Sequence, residues 1–261
     1  MSSSEKFILS YITIRGSGIE SLYQTIKDMK RVTVDELRDL FSITDTEKSE
    51  TPAQLRDSLN FLSSVGILQI KEKNKTEFAT LSSDFGNMPF DLVLLNRLRS
   101  DKQNPFTLVQ SYLASIDATI IDLNTLKQRV EKDIKILYTW NEEKLGFWME
   151  LADYLRLGRK CLSSNLFICY PTPTLIRTLI KTYAETESPK VDFRKLTDYI
   201  SSNFFECFTR EGSLTSGLQQ ALLLLQQYDF VKLVPAPSDT SNPLLINGKS
   251  YSSVLIGKDR L

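Results

Sequence analysis

The stretch that decides the predicted fold is Thr51–Leu81, with the sequence TPAQLRDSLNFLSSVGILQIKEKNKTEFATL. Thr51 can accept a hydrogen bond from a free N–H group of a first helical turn, and Pro52 suits the first helical position. Gly66 suits the left-handed conformation that ends a helix. The residues between these signals are therefore predicted to form one helix with both ends marked.

The predicted helix is amphipathic. Its apolar side is formed, at helical spacing, by Leu55, Leu59, Leu62 and Val65. Its opposite side carries Ala53, Arg56, Asp57, Asn60 and Ser64. One side is thus expected to pack against the protein, and the other is expected to face outward.

The surrounding residues predict two earlier helices and a later β-hairpin. Ile67–Lys71 alternates as a strand does, Lys73–Lys75 is typical of a turn, and Thr76–Leu81 returns as a second strand. Upstream, Ile19–Met29 is an amphipathic helix, and Thr33–Glu36 has the form of a capping box before another helix. This order of three helices and a hairpin resembles the winged helix-turn-helix superfamily. The resemblance implies that the third helix enters the major groove of DNA and that the hairpin lies along the phosphates.

The junction at Gly66, where a helix turns into a strand, has two counterparts, at Gly158 and at Asp229. We therefore predict a mainly α fold with small β-hairpins, built of tandem winged helix-turn-helix-like units. The predicted parts are an N-terminal segment (1–16), a first winged-helix domain (17–89), a helical, winged-helix-like middle domain (90–171) and a winged-helix-like C-terminal domain (172–261). In the last of these, Pro235–Lys249 is predicted to be an exposed loop between two strands.

The composition argues against most enzyme classes. The 261 residues include 32 basic and 32 acidic side chains, so no overall charge attracts nucleic acid, a membrane surface or an acidic substrate. The chain has no histidine, the residue used in most general-base pairs and in most zinc or non-haem iron sites. Cys161, Cys169 and Cys207 lack metal-ligand spacing and are interpreted as core thiols. We expect a non-enzymatic protein with no cofactor, no metal and no small-molecule substrate.

The sequence also predicts the compartment. No run approaches the roughly 20 apolar residues that a membrane span needs. Phe7–Ile14 is too short for a signal peptide and lacks a small-residue cleavage site, so we predict a strand or a first helix packed on the first domain. An odd number of cysteines fits a reducing compartment. We expect a cytoplasmic protein of a prokaryote, or of a virus of one.

The first domain carries the main candidates for contact with double-stranded DNA. Arg56 and Asn60 are placed to reach base edges, whereas the hairpin offers phosphate contacts through Lys71, Lys73 and Lys75. The open alternative is that the lysines form a solvated strand face and that Arg56 pairs with a nearby carboxylate. Asp57, on the same side of the helix, is unfavourable to phosphate.

The other two domains point more to protein partners. Arg156, Arg159 and Lys160 follow the third helix of the middle domain and are a candidate phosphate cluster. The predicted outward side of that helix is acidic and apolar, however, and its candidate partner-binding residues are Met149 and Leu157. In the C-terminal domain, the candidate partner-binding residues are Gln219, Gln220, Leu223 and Gln227.

Two weak enzyme patterns remain. Asp122 and Glu142-Glu143-Lys144 loosely resemble the carboxylates and lysine of metal-dependent nucleases, although acidic residues are also favoured in a first helical turn. Gly16-Ser17-Gly18 lacks the further residues of a nucleotide-binding loop and is interpreted as a hinge or the start of a helix.

Two functional hypotheses follow. In the first, the protein is a DNA-binding accessory or regulatory protein of a prokaryotic multi-protein system, such as a defence or mobile-element operon. One winged helix contacts DNA, and the others dock protein partners. In the second, it is a protein-interaction adaptor without direct DNA contact. That adaptor would resemble the tandem winged-helix subunits that bind the kleisin chain of chromosome-organising SMC complexes.

Overall fold

The computed structural model describes residues 8–41, 53–161, 164–185, 190–238 and 243–257. Within these ranges the protein is mainly helical, with small antiparallel sheets. It forms two compact units, Met1–Phe106 (unit 1) and Thr107–Leu261 (unit 2). None of the described helices combines the length and the apolar composition that a membrane span requires. The predicted cap residues Thr51 and Pro52 lie outside the described residues.

Unit 1 combines α-helices with a three-stranded sheet, whose first strand lies between the first two helices and whose other two strands follow the third. Its elements are α1 (Gly16–Met29), β1 (Val32–Thr33), α2 (Val34–Phe41), α3 (Ala53–Ser64), β2 (Leu68–Lys73), β3 (Thr76–Leu81) and α4 (Phe90–Ser100). The strand order is β1-β3-β2, so the last strand lies in the middle. Ala79, at the centre, stands opposite Val32 on one side and Ile70 on the other, and it is completely buried.

Apolar residues at helical spacing form the core of unit 1. Ile19, Leu22 and Ile26 of α1 and Leu59 and Leu62 of α3 are at most 1% exposed. This spacing places each set on one side of its helix, as the sequence predicts. The predicted packing of α3 by its leucines is therefore confirmed.

The predicted capping box at the start of α2 is also present. The Thr33 N–H donates to Glu36 Oε2 at 2.7 Å, and the Glu36 N–H donates to Thr33 Oγ1 at 3.1 Å. These reciprocal bonds satisfy N–H groups that a helix start leaves without partners. The bond from the Thr33 N–H, and after it a bond from the Thr33 hydroxyl to the same carboxylate oxygen, lowers the pKa of Glu36 below its ordinary value.

The segment before α1 packs onto unit 1 through buried side chains. Ile8–Ser10 forms a short 3-10 helix, and Leu9 and Ile14 are buried. The ring of Tyr11 meets the ring of Phe61 edge to face, with 5.9 Å between their centroids. The packing predicted for this segment is confirmed, although its helical part is limited to a single 3-10 turn.

From α5 onward, the order helix, strand, helix, helix, strand, strand occurs twice. The first set is α5 (Pro105–Ser115), β4 (Ile120–Asp122), α6 (Leu123–Asp133), α7 (Glu142–Tyr154), β5 (Arg159–Lys160) and β6 (Leu166–Ile168). The second set is α8 (Pro173–Ala184), β7 (Lys190–Asp192), α9 (Phe193–Asn203), α10 (Ser216–Gln227), β8 (Val231–Pro235), β9 (Leu244–Ile246) and β10 (Lys249–Ile256). Unit 1 begins with the same order.

The sheet connectivity repeats together with the element order. The strand orders are β1-β3-β2, β4-β6-β5 and β7-β10-β8, so the first strand of each set always pairs with its last strand. The third sheet has one addition, because β9 pairs with β10 through a turn at Asn247-Gly248. The prediction of a loop over Pro235–Lys249 is therefore wrong in its second half, where β9 and the start of β10 form a hairpin.

The third helix of each set ends in the same geometry. Gly66, Arg156 and Asp229 adopt left-handed φ angles of 72°, 61° and 59°. In each case the next N–H donates to the carbonyl five residues earlier, at 2.9 Å. This hydrogen bond is the mark of a helix that stops at a left-handed residue. The middle counterpart of Gly66 is therefore Arg156, and the predicted role of Gly158 as the helix stop is wrong.

Gly66→Ala is expected to destabilise unit 1 by about 1–2 kcal/mol, because a left-handed conformation is unfavourable for a residue with a Cβ. No atom lies within 4 Å of the position of the added Cβ, so crowding contributes nothing. Gly66→Asn should cost less, since asparagine tolerates this conformation. Amide hydrogen exchange of α3 and β2 measures both variants. Equal losses of protection in the two variants would contradict a conformational cause.

Candidate functional site

The outer face of the unit 1 sheet is the most basic of the predicted surfaces. Strand pairing sets Gln69 opposite Thr80, Lys71 opposite Phe78 and Lys73 opposite Thr76. Because side chains alternate along a strand, these six residues share one face, which we call the hairpin face. Its members are Gln69, Lys71, Lys73, Thr76, Phe78 and Thr80. The acidic residues of the hairpin, Glu72 and Glu77, lie on the opposite face.

An arginine adds to the positive charge of the hairpin face. The guanidinium carbon of Arg31 lies 3.9 Å from the ring centroid of Phe78, at cation–π distance. Arg31 is exposed and immediately precedes β1, whose Thr33 stands opposite Phe78. Phe78 therefore has Arg31 over its ring and Lys71 as its neighbour on β2. Neither Arg31 nor Phe78 is among the residues predicted from the sequence, because their proximity depends on the pairing of β1 with β3.

The turn of the hairpin carries the third predicted lysine. Asn74 and Lys75 adopt positive φ angles of 53° and 65°, as in the tight turns that match the twist of a hairpin. Lys71, Lys73 and Lys75 are all exposed. The structure therefore places the three predicted lysines of unit 1 on one hairpin, with all three exposed.

The predicted base-reading residues of α3 are in a different position. Arg56 Nη1 lies 2.9 Å from Glu77 Oε2, and both side chains are 39% exposed. The alternative that Arg56 pairs with a carboxylate is therefore confirmed. Asp57 accepts a hydrogen bond from Thr13 Oγ1 at 2.8 Å, and Asn60 is half-buried. On α3, the outward side is thus partly engaged with the rest of unit 1.

The predicted phosphate cluster of the middle set is paired with acidic side chains of α7. Lys160 Nζ lies 2.8 Å from Glu150 Oε1, and Arg159 Nε lies 3.9 Å from Asp153 Oδ1. Arg156 is half-buried at the helix stop. These neighbouring carboxylates reduce the attraction of the cluster for phosphate.

Two predicted partner-binding residues of α7 and the following turn are buried. Met149 is 1% exposed and Leu157 is 7% exposed, so the expectation that they face outward is wrong. The reason is that α7 is apolar around most of its circumference, with Leu145, Phe147, Trp148, Met149, Leu151 and Ala152 all buried. Glu150 is exposed, as predicted. The side chains of Met149 and Leu157 are therefore not available to a partner.

The predicted glutamine face of α10 is largely outward. Gln220 and Gln227 are exposed and Leu223 is half-exposed, as expected. Gln219 differs, because its amide donates to the Leu214 carbonyl at 2.8 Å and accepts from the Asn247 N–H at 3.2 Å. Gln219 thus fixes the β9–β10 turn against α10, whereas partner binding by the other three stays a prediction.

The residues of the weak nuclease pattern have separate structural roles. Asp122 caps α6, accepting from the Thr125 N–H at 2.9 Å. Glu142 lies 3.6 Å from Lys127 Nζ, and Lys144 Nζ donates to the Thr139 carbonyl at 2.8 Å. Among the described residues, no three His, Cys, Asp or Glu side chains come together as possible metal ligands.

The thiols differ in burial. Cys207 is fully buried, whereas Cys161 and Cys169 are half-buried. Burial raises the pKa of the Cys169 thiol to about 12, which keeps it protonated and unreactive at neutral pH. The interpretation as core thiols therefore fits Cys207 best.

Comparison with protein-family models, with curated proteins and with solved structures found no match for this chain.

Proposed function

We propose that the protein is a non-catalytic accessory protein whose unit 1 binds the phosphates of double-stranded DNA and whose unit 2 docks a protein partner. The observation that carries this proposal is the hairpin face. It presents Lys71 and Lys73 beside Phe78 and Arg31, with Lys75 at the tip. The acidic residues of the hairpin, Glu72 and Glu77, lie on the opposite face, so the charged residues that the hairpin itself contributes to this face are all positive.

The repeated topology supports the resemblance to tandem winged helices. Three helices followed by a hairpin, with a short strand after the first helix that pairs with the last strand, are expected of such domains. Element order and strand order agree with that expectation three times. We propose a phosphate-binding role for the hairpin of unit 1. Because Arg56 is paired with Glu77, we assign Arg56 to holding α3 against the hairpin.

The biological setting is proposed by analogy alone. Non-catalytic proteins of this kind serve as accessory or regulatory subunits in prokaryotic gene clusters, including mobile-element and antiviral defence operons. We place the protein in the cytoplasm of such a cell.

A salt titration of duplex binding tests the proposal. Each neutralised phosphate contributes about 0.9 to the slope of log affinity against log salt concentration. The triple variant Lys71→Ala, Lys73→Ala, Lys75→Ala is expected to reduce that slope by about 2–3 and to weaken binding about tenfold at near-physiological salt. Fluorescence anisotropy of a labelled duplex measures both quantities.

Lys232 and Lys249 provide a matched control, because both are exposed strand lysines of the third sheet. The double variant Lys232→Ala, Lys249→Ala should leave the slope unchanged. An equal effect of the two sets of substitutions would mean that binding is unspecific attraction to any surface lysine. The hairpin assignment would then be withdrawn.

The adaptor without DNA contact is the second candidate. It is favoured by the balanced charge of the chain and by the pairing of Arg56 and Lys160 with carboxylates. The same titration separates the two candidates. Negligible duplex binding by the unsubstituted protein at low salt would favour the adaptor and would remove the DNA proposal.

A further inference from the structure

The strand β4 is an edge of the middle sheet, and no strand among the described residues pairs with its outer side. The Cys169 N–H donates to the Thr119 carbonyl, and the Leu123 N–H donates to the Asn165 carbonyl, both at 2.9 Å. Antiparallel pairs alternate between hydrogen-bonded and non-hydrogen-bonded positions, and Ile120, opposite Ile168, lies at a non-hydrogen-bonded position. The N–H and C=O of Ile120 therefore point away from β6, toward the open edge.

An open groove of about 390 Å³ runs along this edge. One wall is the chain from Asp117 to Asp122, and the other includes Thr125 and Arg129 of α6. The extended part of this wall is β4 itself, Ile120–Asp122, and α6 lies beside it. This shape fits an extended polypeptide, because extended chain can pair with the free groups of an edge strand.

The charged side chains that line the groove differ in how far they are already hydrogen-bonded within the protein. Asp117 accepts hydrogen bonds from the Ser216 N–H and hydroxyl, at 2.7 and 2.6 Å. Asp122 accepts from the N–H and hydroxyl of Thr125, at 2.9 and 2.5 Å. Arg129 is exposed and is the one cationic side chain among the described residues that line the groove, although it also interacts with Tyr112, whose hydroxyl donates to Asp133 at 2.6 Å. Arg129 favours an acidic residue on whatever binds there.

The face of the sheet that carries Ile120 has exposed apolar side chains next to the edge, and Asp122 of β4 lies on the same face. Ile120 is 61% exposed and Leu166 is 38% exposed. Strand register places both on one face together with the half-buried Ile168. A strand added beside β4 would set a side chain against Ile120 on this face, and an apolar side chain there would remove the group from water.

We propose that β4 accepts an extended segment of a protein partner as an added strand. The segment places an apolar residue opposite Ile120 and an acidic residue beside Arg129. A second copy of the chain fits less well. Its own β4 would offer only Asp122, whose carboxylate already accepts two hydrogen bonds from Thr125. This inference rests on the part of the proposed function that gives unit 2 a protein partner, and it is independent of DNA binding by unit 1.

Selection of a displayed random peptide library on the full chain tests the proposal. The selected peptides are expected to share an apolar residue with an acidic residue near it. In the best peptide, made synthetically, N-methylation of successive residues should weaken binding at every second residue, by about tenfold or more. The reason is that only alternate N–H groups of an added strand face β4. A peptide bound merely through its side chains would not show this alternation.

Protein variants complete the experiment. Ile120→Lys is expected to weaken peptide binding about tenfold, since charged lysine on an edge opposes strand addition. Leu137→Lys is the matched control, because Leu137 is 98% exposed in the same unit and should be dispensable. Melting temperatures should stay unchanged in both variants, since both side chains already face solvent.

Three outcomes would overturn the proposal. One is that selection yields no binder sensitive to Ile120→Lys, and another is that the N-methyl scan shows no alternation. The third is that light scattering finds a dimer that Ile120→Lys dissociates, which would make a second copy the occupant. Duplex binding separates this proposal from the function of unit 1. The triple lysine variant of the hairpin should still bind the peptide, whatever its affinity for DNA.

Discussion

Gly158→Ala is expected to destabilise unit 2 by about 3 kcal/mol, at the upper end of the cost of overpacking a core. An alanine Cβ at this position would lie 2.3 Å from the Ile168 carbonyl oxygen and 2.4 Å from the ring of Phe167. Neither atom can move away easily. The first belongs to the backbone of β6, and Phe167 is 1% exposed and packs on Trp148 with 5.2 Å between ring centroids.

The fluorescence of tryptophan in urea measures this loss, because the two tryptophans, Trp140 and Trp148, both belong to unit 2. Gly146→Ala is the matched control in the same unit. No atom lies within 4 Å of its added Cβ, and alanine is favoured over glycine inside a helix by about 0.5–1 kcal/mol. We therefore expect opposite signs for the two variants. A Gly158→Ala protein as stable as its parent would show that β6 does not approach Gly158 closely.

Asp117→Ala is the second large effect, with an expected loss of about 3 kcal/mol. The carboxylate of Asp117 accepts the N–H and hydroxyl of Ser216, the first residue of α10, although the two residues are 99 positions apart. Hydrogen bonds to charged groups contribute about 1.5–3 kcal/mol each, and a carboxylate is favoured at a helix start. Asp117 also has a φ of 48°, which alanine adopts at a cost of about 1–2 kcal/mol.

Asp117→Asn separates the hydrogen bonds from the backbone conformation. Asparagine tolerates a positive φ and keeps one acceptor, so we expect a loss of about 1 kcal/mol. Urea unfolding followed by tryptophan fluorescence measures the stability of both Asp117 variants. If both variants unfold within about 0.5 kcal/mol of the parent, the cap that Asp117 places on α10 contributes little to unit 2.

Local signals in the sequence were sufficient for most of the elements. The hydrophobic spacing of α3, the capping box at Thr33 and Glu36 and the left-handed stop at Gly66 depend on neighbours in the chain, and each is present as predicted. The mainly helical character with small hairpins follows from the same signals. Residues that contact each other within one helix or turn are also close in the sequence, so their pattern can be recognised from the sequence alone.

The errors occur where distant parts of the chain meet. Met149 and Leu157 look like a free surface only if one narrow side of α7 packs, whereas the buried residues of α7 lie around most of its circumference. Gly158 has the residue type of a helix stop, but its small size serves the close approach of β6. The left-handed residue is Arg156 instead, a choice that residue preferences do not favour.

The residues of the candidate site also fall into those that the sequence predicts and those that only the fold brings together. The three hairpin lysines follow from strand alternation and a turn, and the sequence identifies them. Arg31 joins them only through the register of β1 and β3. The β9–β10 hairpin, by contrast, had a visible signal, since Asn247-Gly248 between apolar residues is typical of a tight hairpin turn.

The ion pair between Arg56 and Glu77 changes the electrostatic potential around the hairpin. Glu77 stands opposite Glu72, which lies between Lys71 and Lys73 on β2, and charges act on one another within a screening length of about 10 Å. By neutralising Glu77, Arg56 prevents one negative charge from diminishing the local potential. If unit 1 binds DNA as proposed, Arg56 would strengthen that attraction through its ion pair with Glu77, without contacting the DNA itself.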